Sequence, residues 1–250
     1  MATPSIGVQL IVYRGREQED LTGVLADVAK AGYDGIEAGN LSSIAPPSEI
    51  KRMLADHQLV MSGVHTGYGD LENPDRTQSH LDFLQAVGGK YLICSGVGQG
   101  EGLEPYERAA ETFNRVGRQC QEAGLVFCYH NHDWEFKPLD GTKGIHRLTE
   151  ITDPGLVSLC IDVYWVTIGG EIPREFITRY AGRTQYFHFK DGAKGSFIEL
   201  GQGTIDLPAA RDAALEAGAD WIIAEQDRSD KEPGKSIAES REYMRTQLGL

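Results

Sequence analysis

Short runs rich in β-branched and aromatic residues alternate with longer stretches of helical periodicity along the whole of the 250-residue chain. That alternation is the pattern of parallel strands joined by crossover helices. The strand-like runs are Ile6–Val12, Gly35–Glu37, Leu59–His65, Lys90–Cys94, Leu125–His130, Val157–Ile161, Thr184–Phe189 and Trp221–Glu225. Eight is the number that closes a (β/α)8 barrel, and 250 residues is a usual length for one. The clearest helical stretches are Leu21–Ala31, Ser48–His57, Pro105–Ala123, Arg174–Tyr180 and Pro208–Ala217. Gly32, Gly88, Gly124, Gly182 and Gly218 stand where helices should end, and Pro105, Pro173 and Pro208 stand where first helical turns accept a residue without an N–H. The expected fold class is therefore α/β, a single (β/α)8 TIM barrel, with residues 1–250 forming one domain.

Composition narrows the partners. The chain has 24 Lys and Arg against 37 Asp and Glu, a formal charge of −13, and its field repels phosphate backbones and anionic membrane surfaces. No apolar stretch reaches the roughly 20 residues of a membrane helix, and the start lacks the basic-then-apolar order of a signal peptide. A cytoplasmic protein with neither nucleic acid nor membrane as partner is expected. Cys94, Cys120, Cys128 and Cys160 stand singly without a Cys-x-x-Cys pair, which reads as buried thiols in a reducing compartment. The cluster Gly96-Val97-Gly98-Gln99-Gly100 is a poor phosphate loop, because its neighbours are acidic and no lysine follows.

Chemistry in such a barrel collects where the strands end. Glu37, His65, His130, Asp162, His188 and Glu225 occupy six of the eight exits, with Asn131 and His132 just beyond His130. A charge at the mouth of a buried strand is costly unless it is paired or bound to a cation. Two carboxylates and two imidazoles form a mixed oxygen and nitrogen set that suits one divalent ion such as Mn, Co, Zn or Mg. An ion with open positions could chelate adjacent oxygens of a sugar, polarise a carbonyl and stabilise an enediolate.

The stretch Tyr129-His130-Asn131-His132-Asp133-Trp134-Glu135-Phe136, then Cys160-Ile161-Asp162-Val163-Tyr164-Trp165-Val166, His188-Phe189-Lys190-Asp191, Gly201-Gln202-Gly203-Thr204-Ile205-Asp206 and Glu225-Gln226-Asp227 resembles the sugar phosphate isomerase/epimerase family of xylose-isomerase-like barrels. Relatives of that family include inosose dehydratases and ketose 3-epimerases. The resemblance spans essentially the whole chain and implies one divalent metal at the ends of strands five to eight. It places Asp162, His188 and Glu225 in three ligand slots, with Glu225 also an acid/base. The fourth slot holds His130 where many relatives have glutamate. Either His130 is the ligand, as strand position favours, or Glu135 reaches back to the ion while His130 contacts substrate.

The expected function is a metal-dependent isomerase or epimerase of a sugar or keto-sugar, acting by proton abstraction next to a carbonyl through an enediolate. A lyase acting on a keto-sugar or inosose shares that first step, and a non-catalytic carbohydrate-binding barrel is the alternative of another class. Glu225, Glu135 and Lys190 are the candidate catalytic residues; for Lys190 the plainer option is pairing with Asp191 and Asp227. Glu37, His65, His132 and Trp165 are candidate substrate contacts. For Glu37 and His65 the plainer option is to buttress neighbouring strands, and for Trp165 to pack against the following helix. The partner is a small-molecule sugar or cyclitol. Oligomeric state, with a homo-oligomer among the options, is not legible in the sequence.

Overall fold

In the computed structural model, which describes residues 3–193 and 195–250, the apolar runs become parallel strands of a closed barrel. They are β1 (Ser5–Gln9), β2 (Gly35–Ala38), β3 (Val60–Gly67), β4 (Tyr91–Ser95), β5 (Val126–His130), β6 (Val157–Asp162), β7 (Thr184–Phe189) and β8 (Trp221–Ala224). Each pairs in parallel with the next, and β8 returns to β1 from Ser5↔Trp221 to Val8↔Ala224. The connections carry helices α1 (Leu21–Ala31), α2 (Pro47–Asp56), α3 (Pro74–Val87), α4 (Glu104–Glu122), α5 (Gly144–Ile151), α6 (Pro173–Arg179), α7 (Leu207–Glu216) and α8 (Pro233–Gln247). Short helices at Tyr68–Leu71 and Val163–Ile168 follow directly on β3 and β6. No described helix is long and apolar enough to cross a membrane.

Local chemistry accounts for most of the boundaries. The Asp20 side chain accepts from Gly23 N to start α1, Asn73 accepts from Asp75 N and Arg76 N to start α3, and Asp206 accepts from Ala209 N to start α7. Gly32 and Gly88 close their helices in the left-handed conformation, at φ 86° and 84°. Gly182 does not, because α6 ends at Arg179 with Tyr180 as its cap and a 3-10 turn over Ala181–Arg183 fills the junction. β1 also stops short of the expected Val12: Leu10–Tyr13 is a 3-10 turn capped by the Gln9 side chain. Leu10, Val12 and Tyr13 are buried all the same, so an apolar run marked burial there and not strand.

Side chains alternate faces along each strand. One set, including Leu92, Phe127, Leu159, Phe187 and Ile222, joins the main core, which also takes in helix residues such as Val24, Phe113 and Ala213. The other set, Tyr91, Ile93, Cys128, Cys160, Tyr186, Trp221 and Ile223, packs into a separate cluster that fills the barrel interior. Its bulk comes from β4 and β6–β8, and the facing positions on β1–β3 are Gly7, Gly35 and Gly63. A Cβ on Gly7 would stand 2.6 Å from the Ile223 side chain, and one on Gly35 2.9 Å from Trp221. At Gly63 it would meet the carbonyl oxygen of Tyr91 at 2.8 Å as well as the Ile93 side chain. Gly63→Ala is accordingly expected to lower stability by about 1–3 kcal/mol, read as an earlier midpoint in denaturant; an unchanged midpoint would mean that the wall yields.

Candidate metal and substrate site

Two residues further along each strand from that interior layer, the same face carries Gln9, Glu37, His65, Ser95, His130, Asp162, His188 and Glu225. The pleat thus stacks a polar ring directly on an apolar floor. Four members converge: His130, Asp162, His188 and Glu225 each offer one ligand atom, all within 4.8 Å of one another, and all four are buried. His130 Nε2 lies 3.5 Å from Asp162 Oδ2 and 3.7 Å from Glu225 Oε2, and His188 Nδ1 is in contact with Glu225 Oε2.

Each carboxylate commits one oxygen to protein and turns the other inward. Asp162 Oδ1 accepts from Trp165 N, which starts the short helix Val163–Ile168, and its Oδ2 faces the cluster. Glu225 Oε1 accepts from Lys190 Nζ at 2.7 Å, and its Oε2 faces the cluster. Asn131 holds the end of β6 in place: its Oδ1 accepts from Asp162 N at 3.0 Å, and its Nδ2 donates to Asp162 O at 3.2 Å. His130 Nε2 and Asp162 Oδ2 are buried without a hydrogen-bond partner, and the equally buried His188 Nδ1 and Glu225 Oε2 meet each other at the same point. Buried polar atoms are nearly always satisfied, so four ligand atoms aimed at one point, two of them with no hydrogen bond to protein, fit a cation. The donor set of two nitrogens and two oxygens fits a divalent one. Glu135 is not among the converging groups.

Glu37 stands behind this cluster. Its Oε2 takes His188 Nε2 at 2.7 Å and its Oε1 takes His65 Nδ1 at 2.8 Å, while His65 Nε2 reaches Ser95 Oγ at 3.2 Å. With 0% exposure and both oxygens engaged, Glu37 buttresses the two histidines. Burial would raise its pKa, but His188 and His65 outweigh that and bring it down to about 2. An ionised Glu37 accepts only, so His188 donates from Nε2, and in its neutral form that ring presents the Nδ1 lone pair to the cluster. Burial pushes the His130 pKa well below the usual histidine range and keeps that imidazole neutral.

Lys190 is enclosed, with Nζ 2.7 Å from Glu225, 2.8 Å from Asp227 and 3.5 Å from Asp162. Burial works against its charge, yet Glu225, Asp162 and Asp227 hold its pKa above the ordinary lysine value. It therefore sits behind the carboxylates as a fixed positive charge. Asp191, the other partner considered for it, instead accepts from the backbone N–H groups of Gly192, Gly201, Gly203 and Ile205. The His-Phe-Lys-Asp and Gly-Gln-Gly-Thr-Ile motifs are thus one device, in which a single carboxylate folds the loop after β7.

A cavity of about 290 Å³ opens beside the cluster, with Gln9, His65, His130, His132, Glu225 and Asp227 in its wall. His132, a candidate substrate contact, is in position there, and burial together with His130 lowers its pKa to about 2, so it is a neutral imidazole. Gln9 and Asp227 were not singled out as site residues from the sequence; strand parity would have found Gln9. Glu135 is fully buried away from this wall, accepting from Tyr129 Oη and from His132 N, each at 2.6 Å. Burial outweighs those donors and raises its pKa to about 7. Trp165 packs against His132 and Phe197 with Lys190 Nζ 5.0 Å from its ring, outside the cavity wall.

The family model of the xylose isomerase-like TIM barrel matches residues 25–247, and the chain belongs to that family. Among individual relatives, it is 28% identical to an inosose dehydratase of Lacticaseibacillus casei, over 90% of this chain and 88% of that one. In fold it matches the crystal structure of a sugar phosphate isomerase/epimerase from Parabacteroides distasonis at a TM-score of 0.85 and 22% identity, over 97% of this chain and 94% of that one. It also matches the IolI protein, solved with a binding zinc atom, at a TM-score of 0.77 and 14% identity, over 96% of each chain.

Proposed function

We propose that this protein is a divalent-metal-dependent isomerase or epimerase of a sugar, keto-sugar or cyclitol, acting by proton transfer beside a carbonyl. The observation that carries this reading is the set of four buried ligand atoms from β5, β6 and β7 and from the exit of β8 that face one point. His130, Asp162, His188 and Glu225 would hold the ion. When bound, the ion supplies Lewis acidity to adjacent substrate oxygens and stabilises the negative charge that develops there as the neighbouring proton leaves.

The remaining work falls to side chains. Glu225 takes the proton, and Lys190 at its Oε1 keeps it ionised beforehand; Lys190 is a positioning residue, since enclosure keeps it from the cavity. On the wall of the same cavity, Asp227, whose pKa burial raises, returns a proton, and the neutral His132 holds a hydroxyl. Glu37 fixes the tautomer and direction of His188.

A lyase is the second reading, favoured by the relatives that act as inosose dehydratases. It uses the same proton abstraction, followed by loss of a β-oxygen.

The test combines metal analysis with solvent-deuterium exchange across a panel of ketoses and inososes, with Mn or Co supplied. Deuterium in recovered or isomerised sugar supports the first reading, and an unsaturated or dehydrated product supports the lyase. Binding without exchange anywhere in the panel would overturn both and leave a carbohydrate-binding barrel. The fourth ligand has its own check: His130→Ala is expected to lose the ion and Glu135→Gln to keep about one per chain, as measured by atomic emission. The opposite result would reassign the slot.

A further inference from the structure

Next to the cavity at the metal cluster lies a second one of about 470 Å³, and the two share Ser95 as a wall. Ser95 stands opposite His130 in the β4–β5 register and holds His65 Nε2, so the junction is at the cluster itself. One side of this groove is the glycine-rich stretch after β4 that makes a poor phosphate loop. Gly96 and Gly98 adopt φ of 81° and 83°, a conformation that disfavours side chains. A Cβ on Gly98 would press on the Tyr68 ring at 3.0 Å. The Arg108 guanidinium donates to Gln99 O at 2.7 Å and pins the stretch. The wall is therefore bare backbone, held in place.

The opposite side presents Trp134, 41% exposed in a protein that buries most of its large apolar side chains. Its ring is stacked on His132 at 4.0 Å with 11° between planes, and His132 lines the metal cavity. One face of the indole is thus fixed against the site and the groove receives the rest. Tyr68, Tyr106 and Leu139 add apolar surface, and the only charged residue in the lining is Lys137, exposed at the edge. Such a lining suits a flat, neutral ring rather than a phosphate.

From this geometry we infer that the substrate has two rings, with a sugar at the cluster and a second ring, aromatic or sugar, joined to it and seated in the groove against Trp134. The inference rests on the proposed site and narrows its substrate class to glycosides of keto-sugars, which keep the carbonyl that the proton transfer needs. Proximity carries it: a one-ring ligand fills the smaller cavity and leaves the larger one, through the shared Ser95 wall, to whatever the sugar bears.

The test is calorimetry on the full chain with Mn, using methyl glucoside, phenyl glucoside and cellobiose, each with one ring hydroxyl oxidised to the ketone so that the carbonyl the site requires is present. The two-ring probes are expected to bind about tenfold tighter than methyl glucoside; phenyl glucoside ahead of cellobiose would identify an aromatic ring, and the reverse order a sugar. Trp134→Ala should bring the ratio close to one and Trp134→Phe should keep most of it. Equal binding of one-ring and two-ring probes, lost in Asp162→Asn, would overturn the groove and leave the metal site standing. A two-ring preference that survives Trp134→Ala would also overturn it. Failure of all three probes to bind would overturn both.

Discussion

Asp162→Asn and His188→Ala are each expected to empty the protein of divalent metal and to lower turnover by roughly 10²–10³-fold, with the far-UV circular dichroism unchanged. The reason is the division of labour within each side chain. Asparagine at 162 can still cap the helix Val163–Ile168 through its one oxygen, as Asp162 Oδ1 does, but it then replaces the inward Oδ2 with an uncharged NH2 group that donates and cannot ligate. Alanine at 188 removes the Nδ1 that faces Glu225 together with the Nε2 that Glu37 holds. Neither change replaces a residue of the apolar floor of Cys160, Tyr186 and Ile223 one pleat below. Metal content by atomic emission, measured beside activity and dichroism, decides the matter. Full occupancy in both variants would remove the ligand assignment, and loss of the fold would mean that the ring is part of the core.

Glu37→Gln should weaken metal affinity by about 10–100-fold without reaching the ion. Glu37 is enclosed and ionised, and it receives His188 on one oxygen and His65 on the other. A glutamine amide supplies one acceptor and one donor, so one histidine must turn its ring or change tautomer. If His188 is the one that adapts, the atom it presents to Asp162 and Glu225 carries a hydrogen. Titration of the apo protein with Mn or Co is the measurement. An unchanged dissociation constant would show that the ring direction is set by packing alone, and Glu37→Asp, which keeps the charge but shortens the reach, separates charge from distance.

Much of this barrel could be read from the chain because its signals are local. Apolar runs, glycine closures and helix-start prolines lie within a few residues of what they determine, and the strands fall close to where periodicity puts them. α3 was less visible because its inner face includes Thr77 and His80 beside Leu81, Leu84 and Val87, which blurs the apolar period. The converging residues were legible through position at the strand ends. Their supports were not: Glu37 meets His188 across 151 positions, and Asp191 gathers N–H groups up to 14 residues away. Glu135 shows the converse limit. A carboxylate near a site motif attracts a catalytic role, yet a hydroxyl and a backbone N–H close by have already claimed both of its oxygens.

Stacking the polar ring one pleat above the apolar floor makes each strand an index with a step of two. Deleting a single residue within β6 would swing Asp162 out under the helices and bring Val163 into the cluster. Change of chemistry in this scaffold must therefore proceed by exchanging side chains at fixed addresses or by rebuilding loops, and a histidine can stand at position 130 without disturbing its seven companions on the rim.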